Sequence, residues 1–144
     1  MASAKKVEIF DFPIEQIYAV ISDFEKYSEF LPEVKASKIL KDNGNKKTVQ
    51  LSVSMIKEFT YNIIATLDEP NGLSWVFESG EIFKSNNGSW KLKAISPTQT
   101  QVTYEVGAEF KLFVPGAIAK KLIAVNLPQM LATYKKRVAE VYSS

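Results

Sequence analysis

The residue types that most often carry chemistry in enzymes are scarce in this sequence. None of its 144 residues is Cys or His, which excludes a disulfide framework, a thiolate nucleophile and a zinc site built on those ligands. The absence of His also removes the side chain most often used for acid–base catalysis near neutral pH. Catalysis would depend on carboxylates, Lys, Tyr or the single arginine, Arg137. No DxDxDG-like spacing indicates a Ca²⁺ loop, and we expect neither a metal nor a cofactor.

Four glutamates are the candidate acids: Glu58, Glu81, Glu105 and Glu109. Glu105 and Glu109 alternate with apolar residues, which favours a solvent-facing role. An enzyme would need a carboxylate on the apolar face, with a raised pKa. The pattern therefore predicts no catalytic residue among these four.

Asp11 is the one carboxylate in phase with an apolar face, because it shares the face of Val7 and Ile9 in the predicted first strand. It also lies just before Pro13, which suits the first turn of a helix. Helix capping is therefore the more economical interpretation of Asp11.

Large apolar side chains on the inward faces of predicted strands form the candidate ligand site. The set is Met55, Tyr61, Trp75, Phe77, Trp90, Tyr104 and Phe110, and the closing helix adds Leu122, Val125 and Met130. Any one of them fits an ordinary core, and Trp90, within NGSWKL, has the strongest structural interpretation. As a set they fit a ligand cavity better, because Tyr and Trp have polar ends that need partners when buried. Hydroxyls of Tyr61, Tyr104 and Thr103 would orient a ligand in such a pocket.

Period-two alternation predicts the strands that position this set. One strand precedes residue 13 and about six follow residue 34, separated by short turn signals such as DNGN and EPNG. Residues 81–96 fit one strand with a bulge or two short strands. Short turns indicate antiparallel pairing, and one apolar face per strand indicates a sheet covered on one side only.

Helical spacing follows the first strand and closes the chain. Two short helices are predicted between Pro13 and Pro32, with Asp23 capping the second. Near the C-terminus the apolar stripe before Pro128 and the stripe after it differ in direction by roughly 150° on a straight helix. The first stripe is Ile118, Leu122 and Val125, and the second is Leu127, Met130, Leu131, Tyr134, Val138 and Val141. We therefore predict a break or a kink at residues 126–128, with Asn126 as a cap and residues 114–126 as a movable cover.

The stretch FDFPIEQIYAVISDFEKYSEFLPEV resembles the START/Bet v-type helix-grip superfamily, in particular its polyketide cyclase/dehydrase and coenzyme Q-binding branch. Its first strand ends in FDFP, and the runs DFEKYSEFLP, GSWKL and YKKRVAEVY match as well. The resemblance covers almost the whole chain. It implies one α+β domain over residues 1–144, with a helix-grip fold: a curved antiparallel sheet of about seven strands wrapped on a long C-terminal helix, with two short helices after the first strand.

The resemblance also implies a cavity for an apolar molecule between sheet and helix. Family members similar in this region bind lipids, quinones or polyketides, some cyclise polyketide chains, and one bacterial branch acts on ribosome association. Our leading hypothesis is a non-catalytic binder or carrier of a hydrophobic small molecule, such as a lipid, quinone or isoprenoid. The alternatives are a polyketide cyclase/dehydratase-type enzyme and a ribosome-associated regulatory factor.

The charge pattern gives weaker indications. The net charge of +2 does not by itself indicate nucleic acid. Lys135–Arg137 form a short basic cluster, with Lys120 and Lys121 one segment earlier. Cations near a helix C-terminus complement its dipole, so docking to a membrane surface or to RNA is the less favoured interpretation. No apolar run reaches the ~20 residues that cross a bilayer, and the N-terminus has no signal-peptide core, so we expect a cytoplasmic protein.

Overall fold

The computed structural model describes residues 2–54, 58–111, 114–121 and 127–142. Within them lie seven strands: β1 Ala2–Phe10, β2 Val34–Asp42, β3 Lys46–Ser54, β4 Glu58–Asp68, β5 Gly72–Gly80, β6 Phe83–Ser96 and β7 Gln99–Phe110. They form one curved antiparallel sheet in the order β1-β7-β6-β5-β4-β3-β2. The helices are α1 Ile14–Ile21, α2 Tyr27–Phe30, α3 Gly116–Lys121 and α4 Leu127–Tyr142, and a 3-10 turn at Phe24–Lys26 precedes α2. The predicted α+β helix-grip architecture is confirmed.

The predicted alternation holds along the central strands. In β3, β4 and β7 the outward positions are more exposed than the inward ones. The buried inward residues are Val49, Leu51, Val53, Phe59, Tyr61, Ile63, Ala65, Val102, Tyr104, Val106 and Ala108. The alternative left open for residues 81–96 is resolved as one strand, β6. Its pairing with β7 shifts register between Phe83 and Ser85, as a bulge does.

The predicted phase of β1 is wrong. Val7 and Ile9 are 52% and 40% exposed, whereas Phe10 is fully buried. Asp11 is exposed, and its Oδ1 accepts a hydrogen bond of 2.9 Å from Gln99 Nε2 rather than capping α1. Both faces of VEIFDF carry apolar residues, so alternation alone did not distinguish the inward face.

The apolar face of α4 covers the sheet, because Leu131, Tyr134 and Val138 are all buried. The prediction that Val141 belongs to this stripe is wrong, since that side chain is 50% exposed. Pro128 lies in the first turn of α4 as the structure describes it. The predicted break at Asn126, and with it the cover residues Leu122 and Val125, lies outside the described residues. In α3 before it, Ile118 is 39% exposed.

The sheet is weakly joined between β5 and β6. These strands pair only from Gly72 opposite Lys91 to Trp75 opposite Gly88. Beyond that point residues 76–80 pair with β4, and residues 83–87 pair with β7. We call the space between these two segments the β5–β6 gap. At its closed end the indole of Trp75 lies over Gly88, so this position has room only for glycine.

Gly88→Ala is expected to lower the free energy of unfolding by about 1–3 kcal/mol, the usual cost of overpacking. A Cβ at this position would lie 2.3 Å from the carbonyl oxygen of Glu105 and 2.5 Å from Cζ2 of Trp75. The measurement is urea unfolding followed by circular dichroism. The matched control is Gly116→Ala, where a Cβ meets nothing within 4 Å. Equal stability of the two variants would contradict the described packing of Trp75.

Candidate functional site

A cavity of about 100 Å³ lies between the inward face of the sheet and helices α2 and α4. Its lining is dominated by aromatic and aliphatic side chains: Phe24, Tyr27, Leu31, Val34, Leu51, Tyr61, Ile63, Leu73, Trp75, Phe83, Asn86, Trp90, Tyr104, Val106, Met130 and Tyr134. None of these described lining residues is Asp, Glu, Lys or Arg. The cavity is therefore suited to an apolar or uncharged group.

The structure brings together five of the ten candidate ligand-binding residues around this cavity: Tyr61, Trp75, Trp90, Tyr104 and Met130. Phe77 and Phe110 are outside the lining but contact Phe83, with ring centroids 6.2 and 4.9 Å away. They therefore pack against Phe83, a residue of the cavity lining, without lining the cavity themselves. The other three, Met55, Leu122 and Val125, lie outside the described residues.

The polar residues considered on sequence grounds lie elsewhere. Thr103 is on the outward side of β7, between the buried neighbours Val102 and Tyr104. Glu58, Glu81 and Glu109 are exposed, and the half-exposed Glu105 is 3.8 Å from Lys5 Nζ. The prediction of solvent-facing roles for Glu105 and Glu109 is confirmed.

Apart from Met130, sequence reasoning missed the lining residues that come from the helices, and it missed Asn86 in the bulged part of β6. Tyr27 and Tyr134 lie on the buried faces of α2 and α4, and Asn86 is a buried polar residue that is 7% exposed. Tyrosines on apolar helical stripes were the available signal for the first two. Asn86 had none, because SNNG is typical of a turn.

Tyr134 lies at the centre of an aromatic cluster. Its ring packs edge-on against Tyr27, Phe30 and Trp90, with centroid distances of 5.7, 5.3 and 4.7 Å. Edge-to-face pairs contribute about 0.5–1.5 kcal/mol each beyond area burial. These contacts join α4 to α2 and to the sheet along one side of the cavity.

The hydroxyls of two cavity tyrosines form a chain of hydrogen bonds. The Tyr134 hydroxyl donates to Tyr27, and the Tyr27 hydroxyl donates to the backbone carbonyl of Ile21. Burial raises the pKa of both phenols, so both stay protonated near neutral pH. This short relay ties α4 and α2 to the end of α1.

Two other cavity tyrosines keep unpartnered hydroxyls. Neither Tyr61 nor Tyr104 has a side-chain hydrogen bond within the part of the chain that the structure describes. Burial raises the pKa of each phenol well above its usual value, so both remain neutral donors. Trp75 differs, because its Nε1–H donates to Asn86 Oδ1 at 3.0 Å.

The basic cluster is largely engaged in packing. Lys135 Nζ donates a hydrogen bond of 3.4 Å to the backbone carbonyl of Ile9. The same nitrogen lies 5.7 Å from the ring centroid of Phe10. Arg137 donates to Glu29 at 2.9 Å, and this bond lowers the pKa of the glutamate. Lys136 alone of the three is exposed, whereas Lys135 and Arg137 are partly buried.

A family model described as "Polyketide cyclase / dehydrase and lipid transport" matches residues 10–135. The chain belongs to this family. The match spans all seven strands except most of β1, together with α1 to α3 and the first half of α4. It therefore includes every described residue that lines the cavity.

Relatives of this chain have names that point to different functions. The "Ribosome association toxin RatA" of Escherichia coli K12 is 27% identical over 151 residues, covering 100% of this chain and 91% of that protein. The mitochondrial "Coenzyme Q-binding protein COQ10" of Dictyostelium discoideum is 25% identical, covering 92% and 67%. A START superfamily structure from Mycobacterium smegmatis has a TM-score of 0.87 at 23% identity and covers 98% and 99%. It establishes the shared fold.

None of the described helices of this family member is long and apolar enough to cross a membrane.

Tyr27→Phe is expected to lower the free energy of unfolding by about 1–3 kcal/mol, because it leaves the Tyr134 hydroxyl and the Ile21 carbonyl without their partner. Tyr61→Phe removes a hydroxyl with no described partner, so the unfolding free energy should stay the same or rise. Urea unfolding of the ligand-stripped proteins makes the comparison. A larger loss for Tyr61→Phe would show that its hydroxyl has a structural partner.

Proposed function

We propose that the chain binds and carries a hydrophobic small molecule in the cavity between the sheet and α4. The supporting observation is the cavity itself, which is aromatic-rich and has no charged side chain among its described lining residues. Ligand pockets are mostly apolar with a few placed polar groups. Apolar burial, at about 25 cal/mol per Å², would supply most of the affinity.

The cavity is small for a whole lipid. Its volume is about 100 Å³, whereas pockets for drug-sized ligands have volumes of roughly 300–1,000 Å³. A dry cavity of about 150 Å³ holds benzene. The described cavity would therefore enclose one end of a longer molecule, or would widen on binding. Met130 lines the cavity in α4, and its unbranched side chain adapts to such changes.

The same geometry favours a carrier over an enzyme. An acid–base mechanism needs a carboxylate or another titrating group at the ligand, and no Asp or Glu is among the described lining residues. The phenols of Tyr61 and Tyr104 have pKa values raised by burial, which makes them donors rather than bases. The family description names lipid transport alongside the cyclases, and the COQ10 relative is a binding protein by name.

The direct test is extraction of the purified protein with organic solvent, followed by mass spectrometry. We expect an apolar compound in stoichiometric amount that a mock extraction lacks. If nothing is recovered, the stripped protein can be mixed with total lipid extract and purified again. A protein that retains no compound in either experiment is not a carrier.

Ile63→Trp is expected to reduce the recovered ligand at least several-fold, because the larger side chain would fill part of the cavity that Ile63 lines. The matched control is Ile64→Trp, since Ile64 is the next residue of β4 and points to the opposite face. Circular dichroism checks that both variants are folded. Equal loss of ligand in both variants would place the binding site elsewhere.

A ribosome-directed role is the second candidate, and the whole-chain similarity to RatA supports it. For this role we expect the protein to co-sediment with ribosomes at low salt. Lys136→Glu should weaken the association, because Lys136 is the exposed cation among Lys135–Arg137. Lys38→Glu, on the exposed side of the edge strand β2, is the charge-matched control. Absence of co-sedimentation at low salt would remove this candidate.

A further inference from the structure

We infer that the cavity selects an uncharged ligand with a hydrogen-bond acceptor oxygen, and that Asn86, Trp90, Tyr61 and Tyr104 form its donor set. The inference rests on the proposed function, because it concerns the ligand of the same cavity. It goes further by naming the chemistry that distinguishes one apolar ligand from another.

The first member of the donor set is the amide of Asn86. The Trp75 indole donates to Asn86 Oδ1 at 3.0 Å, so this oxygen is the acceptor and the amide orientation is fixed. The Nδ2 group, which can only donate, then has no hydrogen bond to any residue the structure describes. Asn86 is 7% exposed and lines the cavity.

The other three donors converge from neighbouring positions. The indole of Trp90 is 3% exposed, and its ring lies 4.7 Å from that of Tyr104, measured between centroids. Tyr61 enters from β4, on the other side of β5. Within the described part of the chain, no hydrogen bond involves the Trp90 N–H or the hydroxyls of Tyr61 and Tyr104.

Four unpartnered donors favour a ligand that can accept. None of the four donor atoms is among the fully enclosed side-chain atoms without a partner, so each has open space beside it. An acceptor oxygen on the ligand would supply the missing hydrogen bond there. A pure hydrocarbon would leave all four unsatisfied. Asn86 Nδ2 and the Trp90 indole cannot accept, so a donor-only ligand group would match just the two phenols.

The absence of a cation in the described lining argues against an anionic ligand. Burying a carboxylate without a paired charge is strongly unfavourable. The same desolvation raises the pKa of Tyr61 and Tyr104, and it would act equally on a ligand carboxylate. Ketones, quinones and esters are uncharged and have an acceptor oxygen. Ionised fatty acids are charged, and alkanes have no acceptor.

The experiment uses three probes with one aromatic ring each: acetophenone, ethylbenzene and benzoate. Binding to the stripped protein is followed by ¹H–¹⁵N NMR, where the two tryptophans of the chain give two indole signals, both from cavity residues. We expect acetophenone to bind at least about five-fold more tightly than ethylbenzene, which corresponds to one net hydrogen bond. Benzoate should bind more weakly than either at pH 7.5.

Variants then identify the donors. Tyr61→Phe, Tyr104→Phe and Asn86→Asp should each reduce the affinity for acetophenone by about three- to ten-fold. The affinity for ethylbenzene should stay within two-fold for the two Phe variants. Asn86→Asp keeps an acceptor for Trp75 but removes the Nδ2 donor. The control is Thr103→Val, which removes a hydroxyl from the outward face beside Tyr104 and should change neither affinity.

The outcomes separate the two proposals. If ethylbenzene binds as tightly as acetophenone, or the three donor variants leave the preference unchanged, the donor set is wrong while the carrier function stands. Preferential binding of benzoate overturns the inference in the same way. If none of the probes shifts the indole signals, the inference fails, and the extraction experiment alone decides whether the chain is a carrier.

Discussion

The packing of Tyr134 between three aromatic rings holds α4, the longest helix in the described part of the chain, over the sheet. A sheet with one apolar face must bury that face, and here α4 provides the cover together with α1 and α2. Tyr134 contacts a ring of α2 and a ring of the sheet, and its hydroxyl donates a hydrogen bond to Tyr27. These edge-to-face contacts, with centroids about 5 Å apart, hold α4 against α2 and the sheet beside the cavity.

None of the described lysines lines the cavity, and neither does the single arginine, Arg137. The two edge strands of the sheet, β1 and β2, have exposed lysines at Lys5, Lys6, Lys35, Lys38 and Lys41, which discourage pairing with another sheet. On α4, Lys135 and Arg137 lie over the rings of Phe10 and Phe30. Their stems shield apolar surface while their charged groups reach solvent or a carboxylate. The basic cluster is thus part of the packing as much as a surface feature.

The sequence predicted the sheet well because the central strands have one apolar face each. It failed for β1, where both faces carry apolar residues and Phe10, not Val7 or Ile9, is the buried one. The face of a candidate site residue was predictable from parity. Whether a residue on that face reaches the cavity depends on its position along the strand, and the sequence pattern did not predict this. Tyr61 lines the cavity, whereas Phe77 and Phe110 contact the lining residue Phe83 instead. Tyr27 and Tyr134 lie on apolar helical stripes that periodicity does reveal. Asn86 reaches the cavity through tertiary packing, which periodicity does not encode.

The β5–β6 gap divides the sheet into two groups of strands, called leaves, that are joined to each other more weakly than the strands within each leaf are joined. One leaf is β1-β7-β6 and the other is β5-β4-β3-β2, and backbone pairing joins them only from Gly72 to Trp75. Every other neighbouring pair of strands is bonded over a longer stretch. The leaves are therefore most compliant along this line. Trp75 and Asn86 bond across it at the cavity wall, so a change in cavity width requires the fewest broken backbone hydrogen bonds there.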